Sequence, residues 1–145
     1  MPPDQRRLRR LRRLEQVRQV AKQSAAQDAA AAEGTLQQLR GLADRTAAMA
    51  GEYAGRGGPS DGYALRLTGT FAAGLNTISR ATSRDAQQAQ VIADRKQQDL
   101  AAAERARAAV QDRALAGARL LALRQAAPVL GARRTLGTKL EQLTP

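Results

Sequence analysis

The chain contains no cysteine, no histidine and no tryptophan, and only one phenylalanine and two tyrosines in 145 residues. Without cysteine there are no disulfides and no thiolate chemistry. Without histidine as well, the commonest general base, the thiolate nucleophile and the usual transition-metal ligands are missing, so catalysis and bound cofactors are not expected. Scattered acids such as Asp44, Glu52 and Glu104 read as solvated helix faces. The few aromatics and thirty-two alanines leave an apolar fraction made mostly of methyl groups, too little to build a large globular core. No apolar run approaches the length of a membrane span, and the arginines near the N-terminus are followed by QVRQVAKQSAAQ, not by the apolar stretch of a signal peptide. A protein made and kept in the cytoplasm is expected.

What is present is strong helix-forming material: Ala, Leu, Arg and Gln in two long runs. They are separated by GRGGPSDG at Gly55 to Gly62, where a helix is hard to continue. The fold class predicted is all-α: one long antiparallel two-helix coiled-coil hairpin, with helices over 4–55 and 63–127, a hinge at 56–62 and a short tail at 128–145 that is itself able to form helix. Pro2 and Pro3 suit a first turn and Asp4 a cap, while Pro128 is expected to end the second helix. Gly69 and Gly74 make Tyr63 to Leu75 its weakest stretch.

Apolar spacing assigns the seam. On the first helix, Leu8, Leu11, Leu14, Val17 and Ala21 form one stripe, and Leu36, Leu39, Ala43, Thr46, Ala50 and Tyr53 a second, one position out of step with it. Carried backward, the second register lands on Ala32, Ala29, Ala25 and Lys22. On the second helix the stripe runs Phe71, Leu75, Ile78, Thr82, Ala86, Ala89, Ala93, Lys96, Leu100, Ala103, Arg107, Val110, Ala114, Gly117 and Leu121. A symmetric fold-back at the glycines sets Leu39 near Ile78, Val17 near Leu100 and Leu8 near Val110. The leucines beyond about residue 113, among them Leu115, Leu120, Leu121 and Leu123, then overhang the first helix and await a partner.

Charge is unevenly spread. Residues 1–22 hold eight basic against two acidic side chains, residues 23–111 ten against nine, and residues 112–145 six against two, within a formal total of +11. A hairpin brings both basic segments to one cationic end, opposite a hinge that carries Tyr53, Tyr63 and Phe71. The densest charge, at Arg6, Arg7, Arg9, Arg10, Arg12 and Arg13, encloses Leu8 and Leu11. Such a segment suits an acidic protein surface, a nucleic-acid backbone or anionic lipid; the lack of nearby aromatics disfavours single-strand binding by base stacking. Phe71, Leu75, Ile78 and Thr82 share a helix face. They belong either to the buried seam, as Ile78 facing Leu39 is expected to, or to an exposed aromatic patch that anchors a partner.

In these features the chain resembles the FliJ family, the coiled-coil stalk proteins of the bacterial flagellar type III export apparatus. The resemblance rests on the chain's length, the basic N-terminus with Leu11, Leu14, Val17 and Arg18, the Gln- and Ala-rich arm from Gln23 to Leu39, the hinge, and the Phe71-Leu75-Ile78-Thr82 spacing. It implies a non-enzymatic stalk or adaptor, cytoplasmic and peripheral at the inner face of the membrane. The end formed by the termini, with Arg6, Arg7, Leu8, Arg9, Arg10, Leu11, Arg12 and Arg13, would enter the export ATPase hexamer. Phe71, Leu75, Ile78 and Thr82, with Tyr53 on the facing arm, would contact the export gate protein, and export chaperones would be further partners. The alternative is a basic coiled-coil protein that binds nucleic acid through its arginine-rich end.

Overall fold

The computed structural model describes the backbone of residues 2–56 and 61–141 and the side chains of residues 2–56 and 61–127. Two long helices, α1 (Pro3–Gly55) and α2 (Gly62–Glu141), pack against each other as a helical hairpin, and no strand occurs among the described residues. Helix α1 starts with proline at its first position, where the missing N–H is no loss, and Arg6 N–H donates to Pro2 O at 3.2 Å. At the start of α2, Asp61 is the cap: its Oδ1 accepts from Ala64 N–H at 2.8 Å. The centre of the expected hinge, Gly57 to Ser60, lies outside the described residues.

One expectation about α2 changes. It runs unbroken through Gly69 and Gly74, in keeping with a helix over 63–127, but its backbone stays helical past Pro128 to Glu141, so 128–141 continues the helix. A proline removes one hydrogen bond and crowds the carbonyl four residues back, which one long helix absorbs when the turns on both sides are intact.

The chain divides into two compact units. The central unit, Ser24–Ala101, pairs the second half of α1 with the first part of α2. Its core is thin. Leu36, at 1% exposure, is the one large side chain fully buried among the described residues, packed with Ala86, Ala89 and Ala93 and flanked by Ala32 and Leu39. Alanine seams let two helix backbones approach closely, and the pairing includes a hydrogen bond from Ser79 Oγ to Ala43 O at 3.1 Å. The buried threonines Thr46 and Thr82 donate to the carbonyls of Leu42 (2.7 Å) and Ile78 (2.9 Å) one turn back. No buried side-chain polar atom among the described residues lacks a partner.

The seam follows the expected positions except near the hinge. There Ala72 and Ser79 face inward where Phe71 and Ile78 were expected, and Ile78 is 52% exposed. The reason is stagger. Helix α1 ends two residues after Tyr53, whereas α2 has already run nine residues when Phe71 meets Tyr53. The symmetric fold-back is therefore replaced by an offset of about two turns. Leu39 consequently packs on the Leu36 cluster instead of on Ile78.

The terminal unit comprises Met1–Gln23 and Ala102–Pro145. The same offset operates within it: a Cβ on Gly117 would sit 3.8 Å from Leu8 Cδ1, so Leu8 lies against Gly117, one heptad beyond the expected Val110. Leu120 and Leu121 thus lie beside α1 and do not overhang it, and Arg124 reaches an ion pair with Asp4. Asp4 is a first-turn acid, not the cap.

The first apolar stripe also fails beyond Leu11. Leu14 is exposed, as is Val17 at 63%, and the inward positions pass to the half-buried Glu15, Gln19 and Lys22. That path contains an extra step of four residues, a stutter that brings Leu8 and Leu11 into phase with the seam expected from Lys22 onward. Leu14 and Val17 stand on the side of the helix.

Candidate functional site

The terminal unit carries the charge. Its two segments hold sixteen basic and five acidic side chains, and the central unit holds eight of each, so the whole formal +11 belongs to the terminal unit. Part of its charge is internally compensated. Lys22 Nζ meets Glu104 Oε2 at 2.7 Å, Arg107 Nη2 meets Glu104 Oε1 at 2.8 Å, and Arg107 Nη1 donates to Gln111 Oε1 at 3.0 Å. The hydrogen bond from Arg107, then that from Lys22, lowers the Glu104 carboxyl to about 2, which outweighs the upward push of partial desolvation. Glu104 in turn raises the Arg107 guanidinium.

The N-terminal arginines differ. Arg6, Arg7, Arg9, Arg10, Arg12 and Arg13 are all exposed, as expected. Arg6 takes part in an interaction with its surroundings, while the other five make no ion pair or hydrogen bond among the described residues. Leu8 is buried and Leu11 half-buried, so Leu8 supports the segment from beneath and is not a free contact. Between the helices of this unit lies a groove of about 390 Å³. Its apolar floor includes Leu8, Leu11, Leu120 and Leu121, and its edges carry Arg7, Arg113 and the Asp4–Arg124 pair. Sequence reasoning missed this groove, because the offset that sets Gly117 and Leu120 beside Leu8 is not written in either helix alone.

The central unit carries the aromatic patch. Phe71 is 49% exposed and meets Tyr53 edge to face, with ring centroids 4.7 Å apart and an interplanar angle of 77°. The Arg56 guanidinium stacks 4.7 Å from the Tyr53 ring centroid. Of the expected gate contacts, Phe71 and Ile78 point outward, Leu75 is half-buried between them and Tyr53 is half-buried opposite. Thr82 is buried with its hydroxyl bonded to Ile78 O, which removes it from the accessible patch.

Residues not singled out from sequence extend the patch. Leu67 is exposed one turn before Phe71, and Leu42 and Met49 are exposed on α1. Leu42 and Met49 each directly precede an inward alanine, Ala43 and Ala50, as Phe71 and Ile78 directly precede Ala72 and Ser79. Reversing one helix of a pair exchanges its left and right edges, so residues preceding inner positions on both antiparallel helices share one side. The other side is polar, with Arg40 hydrogen-bonded to Gln90. The hint in the sequence was the repeat of large apolar residues one place ahead of small ones.

Among the described residues there is no cluster of acidic side chains able to hold a metal ion, and no helix long and apolar enough to cross a membrane. Compared with known proteins, the chain matches no family model, no curated protein and no solved structure.

Proposed function

We propose that this protein is a non-enzymatic coiled-coil stalk or adaptor of flagellar protein export, whose basic terminal unit engages the export ATPase hexamer and whose Tyr53–Phe71 patch engages the export gate protein. The observation that carries the reading is the separation of the two surfaces: all the net charge lies in one unit, and the exposed aromatic pair lies in the other, electrically neutral unit. A connector needs two chemically distinct contact surfaces. The resemblance at Leu11, Leu14, Val17, Arg18 and Phe71-Leu75-Ile78 supports the same assignment. On this reading the protein works at the cytoplasmic face of the membrane, held there by its partners, and export chaperones are further clients.

The reading is tested by replacing Arg6, Arg7, Arg9, Arg10, Arg12 and Arg13 with Gln and, separately, Phe71 with Ala. The first variant is expected to lose association with the export ATPase in a pull-down, and the second to lose gate binding and swimming motility. Both should keep wild-type helicity by circular dichroism. Wild-type motility in both variants would exclude the assignment.

A further inference from the structure

The groove of the terminal unit has a chemistry that the outer arginines lack. A phosphate backbone or a flat acidic surface needs only cations, yet here leucines line a cleft with guanidinium groups along its edges. Leu120, 58% exposed, stands with Leu121 across from Leu11, and the buried Leu8, packed against Gly117, closes the bottom of the cleft. The charge at its edges is only partly matched: Arg124 is paired with Asp4, while Arg7 and Arg113 make no ion pair or hydrogen bond among the described residues.

We infer that this groove is a docking site for a single amphipathic helix of a partner protein, one with leucine-type residues along one stripe and Asp or Glu on both flanks. Spacing selects a helix. Arg7 and Leu11 on one wall, and Gly117, Leu120 and Leu121 on the other, recur at three and four residues over a floor closed by the buried Leu8, which matches the turns of a third helix lying alongside and not the two-residue period of an extended strand. Neither wall offers unpaired backbone groups to a strand, because both are helix interiors. Charge selects the flanks. A carboxylate on each side of the incoming stripe meets Arg7 on α1 and Arg113 on α2, giving charge-assisted hydrogen bonds at the rim of an apolar contact. The +11 carried by the terminal unit draws an acidic helix in and repels a basic one. The inference deepens the proposed function by naming what the basic unit recognises, and it rests on that reading only in taking the partner to be a protein.

The test uses the full chain and a labelled synthetic peptide about three heptads long, with Leu at alternating three- and four-residue steps and Glu on the flanks. Anisotropy should report micromolar binding. Because Leu120 is exposed, Leu120→Glu should leave helicity intact and weaken binding by about tenfold or more. Arg113→Gln should weaken it several-fold and flatten its salt dependence, and a peptide with Gln in place of Leu should bind far more weakly. No binding at 100 μM peptide, or binding unaffected by Leu120→Glu, would overturn the docking site. So would a duplex DNA that binds more tightly than the peptide and is equally indifferent to Leu120→Glu; that result would assign the unit to phosphate polyanions. ATPase pull-down with the same variants separates the two ideas: peptide binding without ATPase association sinks the export reading and leaves the groove standing, and the converse sinks the groove alone.

Discussion

Single residues carry unequal weight in this protein. Leu36 is the one large side chain fully buried among the described residues, so Leu36→Ala should cost about 2–5 kcal/mol, enough to threaten so small a core. Phe71 is half exposed and gains mainly its edge contact with Tyr53. Its truncation to Ala should cost only about 1 kcal/mol, and a urea titration of the two variants checks the order. Ile78→Ala belongs with Phe71 and not with Leu36, since its side chain faces out. Glu104 sets a pH dependence. Its carboxyl, normally near 4.5, lies at about 2 in the folded chain, so the ionised form is favoured by folding. Its stabilisation is fully present above the ordinary value and is lost as pH falls toward 2. Glu104→Gln should therefore melt earlier than wild type at pH 7, and the gap should close between pH 4.5 and 2, as thermal scans across that range would register.

At the scale of the helices, the seam is made of alanine and the outer faces are laced with glycine. Gly34, Gly69 and Gly74 lie in helix with no positive φ, and a Cβ on any of them would meet nothing within 4 Å. Each replacement by Ala should raise stability by about 1 kcal/mol, through helix propensity and a less flexible unfolded chain. Enlarging the seam does the opposite. Ala93 is 2% exposed beside Leu36, and Ala93→Leu should force the helices apart at a cost of about 1–3 kcal/mol. Chemical denaturation of the four variants gives both signs in one experiment.

For the molecule as a whole, the division of charge governs how it responds to salt. The terminal unit holds the entire +11 and the central unit none, so like-charge repulsion acts in one unit only. Raising salt from about 20 to 500 mM, which shortens the screening length from over 20 Å to about 4 Å, should slow amide exchange in residues 1–23 and 102–127 and leave residues 24–101 nearly unchanged. Equal protection changes in both units would mean that the internal pairs of Glu104 and Asp4 already cancel the repulsion. The same asymmetry underlies the functional proposal, since only one unit attracts an acidic partner at a distance.

The all-α class, the two helices, the hinge position and the concentration of charge toward the termini were decided by the sequence itself. Long stretches of Ala, Leu, Arg and Gln with apolar steps of three and four admit no other regular structure, and GRGGPSDG interrupts them once. Which residues face which was decided only by packing. Two helices of different length can slide in steps of a heptad while keeping small residues in contact, and an alanine seam barely distinguishes one step from the next. The offset adopted puts Ala72 and Ser79 inward and turns Phe71 and Ile78 out, moves Leu8 from Val110 to Gly117, and leaves Leu14 and Val17 in solvent. The aromatic patch was legible as a group of residues but not as a surface. The groove at Leu120 was not legible at all, because it exists only where the two registers meet.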